Sequence, residues 1–234
     1  MQPSKELRNL KSHRLVKQID GQRVLFCGDV HGDKAQLDKR LAKLNYVEGE
    51  DILIFAGDLI DRGNFSAEMI EFVCKTCNVY SVVGNHEQMF LDGLGDDQAK
   101  LFHMSPNNGG WWVEQYDEAY LKKLGEMIRE HMSIALTVEY GEKTIGVTHA
   151  ESPNNWSEVH GADVRVKGRL IWSRDEFLFG KLGRQYTCKG VDAVVHGHVN
   201  DYITVSGNNI WIDTVYETGS LTIISANEVL ESVN

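Results

Sequence analysis

The chain has 234 residues, a formal net charge of −10 and four cysteines. That length buries a substantial core, and no linker or low-complexity tract divides it, so one domain spanning 1–234 is expected. The acidic balance argues against a nucleic-acid partner, no stretch reaches the length of a membrane span, and the cysteine usage suits a reducing, cytoplasmic compartment better than a disulfide framework.

Residues 1–21 are polar and lean basic, which predicts an irregular lead-in or a first edge strand, with His13 as a surface residue. The apolar run Val24–Cys27 then reads as a buried strand leading into Gly28-Asp29-Val30-His31-Gly32. Asp29 and His31 are two apart, so an extended segment would turn both to one side. Asp33 is placed to cap a helix whose Leu37, Leu41 and Leu44 recur at helical spacing.

A second strand, Ile52–Ala56, delivers Gly57-Asp58-Leu59-Ile60-Asp61-Arg62-Gly63 to its C-terminal lip, where open α/β sheets place ligands. A helix follows from about Ser66, with Ser66 as cap and Met69, Ile70 and Val73 buried. Cys74 and Cys77 form a Cys-x-x-Cys on that helix; without a second pair they read as two half-buried thiols. The third strand, Val79–Val83, ends in Gly84-Asn85-His86-Glu87, and a helix begins at about Glu87. Three strands thus end in Gly-Asp or Gly-Asn, and their side chains should converge.

Residues 96–130 read as helical, interrupted at Ser105–Gly110, with Trp111, Trp112 and Tyr116 as apolar payload. His103 and His131 fall in helical patterns as partly buried histidines without a ligand role. From Ser133 the period changes to 2: Ile134–Val138 and Thr144–Thr148 form a hairpin, and the second strand ends at His149. Glu151–Lys167 reads as a long irregular stretch leading to Leu170-Ile171-Trp172-Ser173-Arg174. Val191–Val195 is another buried strand, ending in His196-Gly197-His198. Tyr202–Val205, Ile210–Asp213 and Ser220–Ser225 complete a strand-rich end. The order βαβαβα followed by strands predicts an α/β (α+β) fold of two packed mixed sheets flanked by helices.

Asp29, His31, Asp58, Asn85, His149 and His198 all fall at strand ends or just beyond. Hard oxygen donors with imidazole suit manganese, iron or zinc better than magnesium or calcium. Six ligands are too many for one catalytic ion and suit two ions sharing a bridging carboxylate, which can clamp a phosphoryl group. His86 adjoins Asn85, and Asp61 can hold its ring protonated, making His86 a general acid for a leaving oxygen. Arg62 and Arg174 can grip phosphoryl oxygens bidentately.

These residues resemble the phosphoprotein phosphatase branch of the calcineurin-like metallophosphoesterases. The match lies in Gly-Asp-Val-His-Gly, Gly-Asp-Leu-Ile-Asp-Arg-Gly, Gly-Asn-His-Glu, Thr148-His149 and Gly197-His198, in that order. Gly84–Met89, Asn108–Trp111, Ile171–Arg174 and Ile212–Thr214 are similar to the bacteriophage lambda-type serine/threonine protein phosphatases. The resemblance implies that Asp29 and His31 bind a first metal, Asp58 bridges, and Asn85, His149 and His198 bind a second. It further implies manganese as the usual ion, His86 as acid oriented by Asp61, Arg62 and Arg174 on the phosphate, and direct attack by water activated between the metals. The expected substrate is a phosphoserine or phosphothreonine protein or peptide, with phosphotyrosine as a further one, in a bacterial or phage-infected cytoplasm. The chain departs from the pattern at Glu151 and at Val199-Asn200, and His196 offers a competing imidazole beside Gly197. A symmetrical dinucleoside tetraphosphate hydrolase shares most of these motifs, and a non-catalytic scaffold of the same fold is the reading from another class.

Overall fold

Strand residues that alternate in side-chain direction yet are apolar at every position need cover on both faces, and the runs at 24–27 and 52–55 are built that way. All four residues of each are buried. Val24, Phe26, Ile52 and Ile54 face one apolar cluster and Leu25, Cys27, Leu53 and Phe55 face the other. A computed structural model describes residues 4–19 and 21–233.

In chain order the first half holds α1 (Lys5–Asn9), β1 (Lys11–Lys17), β2 (Val24–Cys27), α2 (Lys34–Lys43), β3 (Ile52–Phe55), α3 (Ser66–Lys75), β4 (Val79–Ser81), α4 (Asn85–Gly93), α5 (Asp97–His103) and, after a 3-10 turn at Gly110–Gln115, α6 (Glu118–His131). The second half holds β5 (Ser133–Tyr140), β6 (Lys143–Thr148), a 3-10 turn at Trp156–Gly161, α7 (Val164–Trp172), α8 (Asp175–Lys181), β7 (Ala193–His196), β8 (Thr204–Ser206), β9 (Asn209–Trp211), α9 (Val215–Thr218), β10 (Ile223–Ser225) and α10 (Ala226–Ser232).

The strands form a four-stranded sheet, β10-β2-β3-β4, and a six-stranded sheet, β1-β5-β6-β7-β9-β8. In the first, β2, β3 and β4 run parallel, so their three C-terminal ends share one lip. In the second, β6 is parallel to β7 and β7 to β9, which aligns the ends that carry His149, His198 and Asp213. Between the sheets lies a layer of Val, Ile and Leu drawn from β2, β3, β5, β6, β7 and β9. Each fully buried side chain of this kind contributes about 1.5–3 kcal/mol. Helices cover the outer faces, and Val83 N donates to Ser133 O at 2.8 Å, tying the sheets together beside the site. This is the mixed two-sheet architecture expected from the sequence.

Several local expectations need correction. Lys5–Asn9 is helical rather than irregular, whereas β1 is the edge strand that the sequence offered as an alternative, paired with β5 in the larger sheet. His13 is half-buried rather than a plain surface residue: its Nε2 lies 2.7 Å from Thr137 Oγ1, and burial together with His160 lowers its pKa to about 4. Ser66 does not cap α3. It is the helix's first residue, and its hydroxyl accepts from Asp61 N at 2.9 Å. Only Cys74 lies on α3; Cys77 is beyond its end and exposed, and both are free thiols. The stretch 151–167 is not irregular throughout, because Asp163 caps α7, accepting from Arg165 N and Val166 N. The helices α8, α9 and α10 occupy segments where no helix was expected.

Candidate metal centre

The two sheet lips meet over one cleft of about 420 Å3, lined by Asp29, His31, Asp58, Arg62, Asn85, His86, Asn107, Asn108, Trp172, Arg174, His198, Asn200 and Asp213. Eight of the ten predicted site residues line it directly; of the other two, His149 lies 3.3 Å from Asp58 Oδ2, and Asp61 lies behind His86. The parallel strands β2, β3 and β4 bring Asp29, Asp58 and Asn85 side by side, which is why the repeated strand–glycine design converges.

The loops reach this arrangement through unusual backbone. His31, Asp58, Asp61, Arg62 and His198 all have positive φ, from 47° at Asp58 to 74° at Asp61. Such conformations are uncommon outside glycine and mark sites where the surroundings impose the geometry. The chain therefore turns tightly over Val30–Asp33, with Asp33 N donating to Val30 O at 3.0 Å, and the segment does not stay extended through His31 as the two-residue spacing suggested. Gly84 has a further constraint: a Cβ there would lie 2.1 Å from Asp58 Oδ1 and 2.5 Å from Asp58 N.

Glu87 fixes the centre from behind. Its carboxylate accepts from Asp58 N at 3.0 Å, Leu59 N at 2.8 Å and Gly84 N at 2.8 Å. Burial first, and the neighbouring Asp58 charge second, push its pKa up to about 7. Asp29 accepts from His198 N, so the two sheets are bridged through a candidate ligand.

The donor set fits cations. His149 Nδ1 donates to Ala56 O at 2.7 Å, which leaves Nε2 facing Asn85 Oδ1 at 3.0 Å and Asp58 Oδ2 at 3.3 Å. Three lone-pair donors turned inward need a proton or a cation among them. His31 Nδ1 likewise donates to Ile60 O at 3.0 Å, and its Nε2 accepts from Arg62 at 2.8 Å. Two clusters have ligand atoms within 4.8 Å of one another: His31, Asp58 and His86, and Asp58, His149 and His198. Asp58 belongs to both. Burial pushes Asp29 well above the usual carboxylate range, with Asp213 and Asp58 adding to it, while Asp213 rises to about 6 from burial and Asp58. Carboxylates crowded this way are relieved by positive charge.

His86 behaves differently from the others. Its Nδ1 donates to Asp61 Oδ2 at 2.7 Å, leaving Nε2 toward the cleft, 3.3 Å from Arg62 Nη2. Burial opposes a charged ring, but the carboxylates of Asp58 and Asp61 outweigh it and raise its pKa. His196 is turned away from the cleft: its Nδ1 is 3.1 Å from Thr148 Oγ1, its Nε2 3.0 Å from Asn209 Oδ1, and its ring stacks on Trp211.

Sequence reasoning missed Asp213, Glu87 and His103. Asp213 had a signal, since it follows an apolar strand as Asp29 and Asp58 do, though without a glycine. Glu87 stood in a quoted motif but received no role. His103, expected to be partly buried, is 1% exposed and donates to Asp61 at 2.8 Å, a contact between residues 42 apart that no local pattern announces.

Comparison with known proteins identifies the family and the fold. A family model described as calcineurin-like phosphoesterase matches residues 22–202. Serine/threonine-protein phosphatase 2 of Salmonella typhimurium is 34% identical over 193 residues, 80% of this chain and 84% of its own. A symmetrical bis(5'-nucleosyl)-tetraphosphatase of Buchnera aphidicola is 41% identical over 63 residues, 26% of this chain and 23% of its own. Among solved structures, a protein serine/threonine phosphatase from Saccharomyces cerevisiae superposes with a TM-score of 0.58 at 14% identity, covering 94% of this chain and 84% of that one, which speaks to the fold alone.

Proposed function

This chain belongs to the calcineurin-like phosphoesterase family, and from that premise we propose that it is a protein phosphatase hydrolysing phosphoserine and phosphothreonine monoesters, with phosphotyrosine as a further substrate. The observation that carries the reading is the meeting of two sheet lips at Asp58, which belongs to both clusters of candidate ligands, beside the His86–Asp61 pair. Asp29, His31 and Asp58 would hold one ion, and Asp58, Asn85, His149 and His198 the other. Manganese is the proposed ion, with iron and zinc compatible with the same donors. When bound, two such ions would polarise the phosphoryl group and lower the pKa of the attacking water.

The chain's own residues supply the rest. Arg62 and Arg174 both line the cleft and would grip the non-bridging phosphoryl oxygens, which orients the ester. Asp61 holds the His86 ring through Nδ1, so Nε2 carries a proton toward the leaving oxygen. That proton matters most for an alkoxide, the leaving group of phosphoserine. The 84–89, 108–111, 171–174 and 212–214 runs favour the lambda-type protein phosphatase branch within the family.

The symmetrical tetraphosphatase reading is kept because such a protein shares 41% identity over 63 residues. The non-catalytic reading is disfavoured, since no ligand or acid position is substituted. The test is to chelate the protein, restore manganese, iron, zinc or magnesium one at a time, and assay phosphoserine peptides against diadenosine tetraphosphate. Manganese-dependent release of phosphate from the peptides, with little turnover of the dinucleotide, is expected. The reverse preference overturns the protein-phosphatase reading.

A further inference from the structure

Resting on the assignment of His86 as proton donor, we infer that His103 is a positioning residue for that donor, acting through Asp61. Of the seven residues of α5, only His103 is buried. Its neighbours Leu101 and Phe102 are 69% and 52% exposed, so this helix brings no apolar side chain of its own to the core. A buried imidazole is unfavourable unless its polar groups are satisfied. Here Nε2 donates to Asp61 Oδ1 at 2.8 Å and is 3.0 Å from Oδ2. The one buried residue of α5 is thus spent on a polar contact to the carboxylate that holds His86.

Asp61 is fully buried and receives two further donors. Trp112 Nε1 donates to Oδ1 at 2.7 Å and His86 Nδ1 to Oδ2 at 2.7 Å. His86 is on α4, while His103 and Trp112 come from the end of α5 and the 3-10 turn that follows it, so the carboxylate is held from both sides and its plane is fixed. Removing His103 frees one side of that plane, and Oδ2 is no longer pinned opposite His86 Nδ1.

The same segment also grips Arg62. Gly109, at φ +80°, accepts from Arg62 N at 3.0 Å, and a Cβ on Gly109 would come within 2.8 Å of Arg62 N. A Cβ on Gly110 would lie 2.5 Å from the His103 ring, so glycine there admits the imidazole. Residues 103–112 therefore register the proton donor and a phosphate-binding arginine from one side.

The test uses His103→Leu, which fills space without a donor, and His103→Gln, whose amide can donate where the ring nitrogen did. Turnover and KM are measured on a phosphoserine peptide and on nitrophenyl phosphate with manganese in excess, together with metal content. In the metal-free protein, the ring N–H proton of His86 is followed by NMR, assigned through its loss in His86→Asn. His103→Leu is expected to lower turnover of the peptide on the order of tenfold, a share of the about 10²–10⁴-fold that general acid catalysis contributes. Nitrophenyl phosphate, which leaves without help, should be little affected. Metal content and KM should stay put, and the His86 ring proton should exchange faster. His103→Gln should restore most of both readouts. Equal losses on the two substrates, or a His86 ring proton unchanged in His103→Leu, overturn the inference. If the parent protein hydrolyses no phosphopeptide, the proposed function fails, while the ring-proton measurement still decides the role of His103. Should His103→Leu not fold, His103→Asn, too short to reach Asp61, is read the same way.

Discussion

The floor and the rim of the cleft are built on different principles. On the floor, Asp29, Asp58, Asn85, His149 and His198 are all buried, and each is held by hydrogen bonds or close polar partners from another segment. On the rim, Arg62, Asn107, Arg174 and Asn200 are exposed. The floor is held by two sheets at once, and its polar atoms face inward. The rim is built on loops and helix starts, and the proposed task of its arginines, to point a charge at an anion, asks for less burial. Floor residues should therefore fail together, through metal loss, and rim residues one at a time, through weaker substrate contacts.

The sharpest way to break this contrast is Asp58→Asn. Asp58 belongs to both ligand clusters, so the variant should lose most bound metal and nearly all activity. Full activity with two ions retained per chain would remove the basis for treating the floor as a unit.

The paired histidines around Gly197 sharpen the contrast next. His198→Gln should lower metal affinity by more than the about 10–100-fold that loss of an outer partner costs. His196→Gln should leave metal content near normal and reduce stability instead, by about 1–3 kcal/mol, because buried partners Thr148 and Asn209 lose their bonds. Metal titration and urea unfolding of both variants decide the matter; equal metal loss in the two would return His196 to the ligand set.

A rim residue should behave differently again. Arg174→Ala should weaken inhibition by inorganic phosphate by about 2 kcal/mol, the scale of one charge-assisted contact, with metal content intact. Phosphate inhibition unchanged in that variant would place Arg174 outside the substrate path.

The smallest effect is expected far from both regions. Replacing Cys74 and Cys77 together with Ser should cost at most about 1 kcal/mol of stability, through the partly buried Cys74, and leave activity and metal response unaltered, since neither lines the cleft. A strong dependence of activity on thiol reductant that vanishes in the double variant would contradict this.

Much of the floor was legible because its cause is local. An apolar strand of four or five residues followed by Gly-Asp, Gly-Asn or Gly-His puts a donor at a sheet lip, and parallel neighbours then bring the donors together. Asp29, Asp58, Asn85 and His198 were readable on that ground, and His86 beside Asn85 followed. The choice between His196 and His198 rested on a motif; the fold gives the physical reason, because His196 is still within β7 and packs among Thr148, Asn209 and Trp211, whereas His198 lies beyond the strand end, where a φ of 69° turns the chain out of strand geometry.

What the sequence determined by itself is the set of strands, their order of appearance and the donors that strand ends must present, since these follow from side-chain alternation and from glycine's freedom at tight turns. Only the tertiary structure decided which distant groups satisfy those donors. Glu87 gathering three N–H groups, Asp213 crowding Asp29, and His103 reaching Asp61 across 42 residues are consequences of how the lips and helices meet. A buried polar atom must find a partner wherever the fold supplies one, and that place is set by packing between segments that no local spacing records.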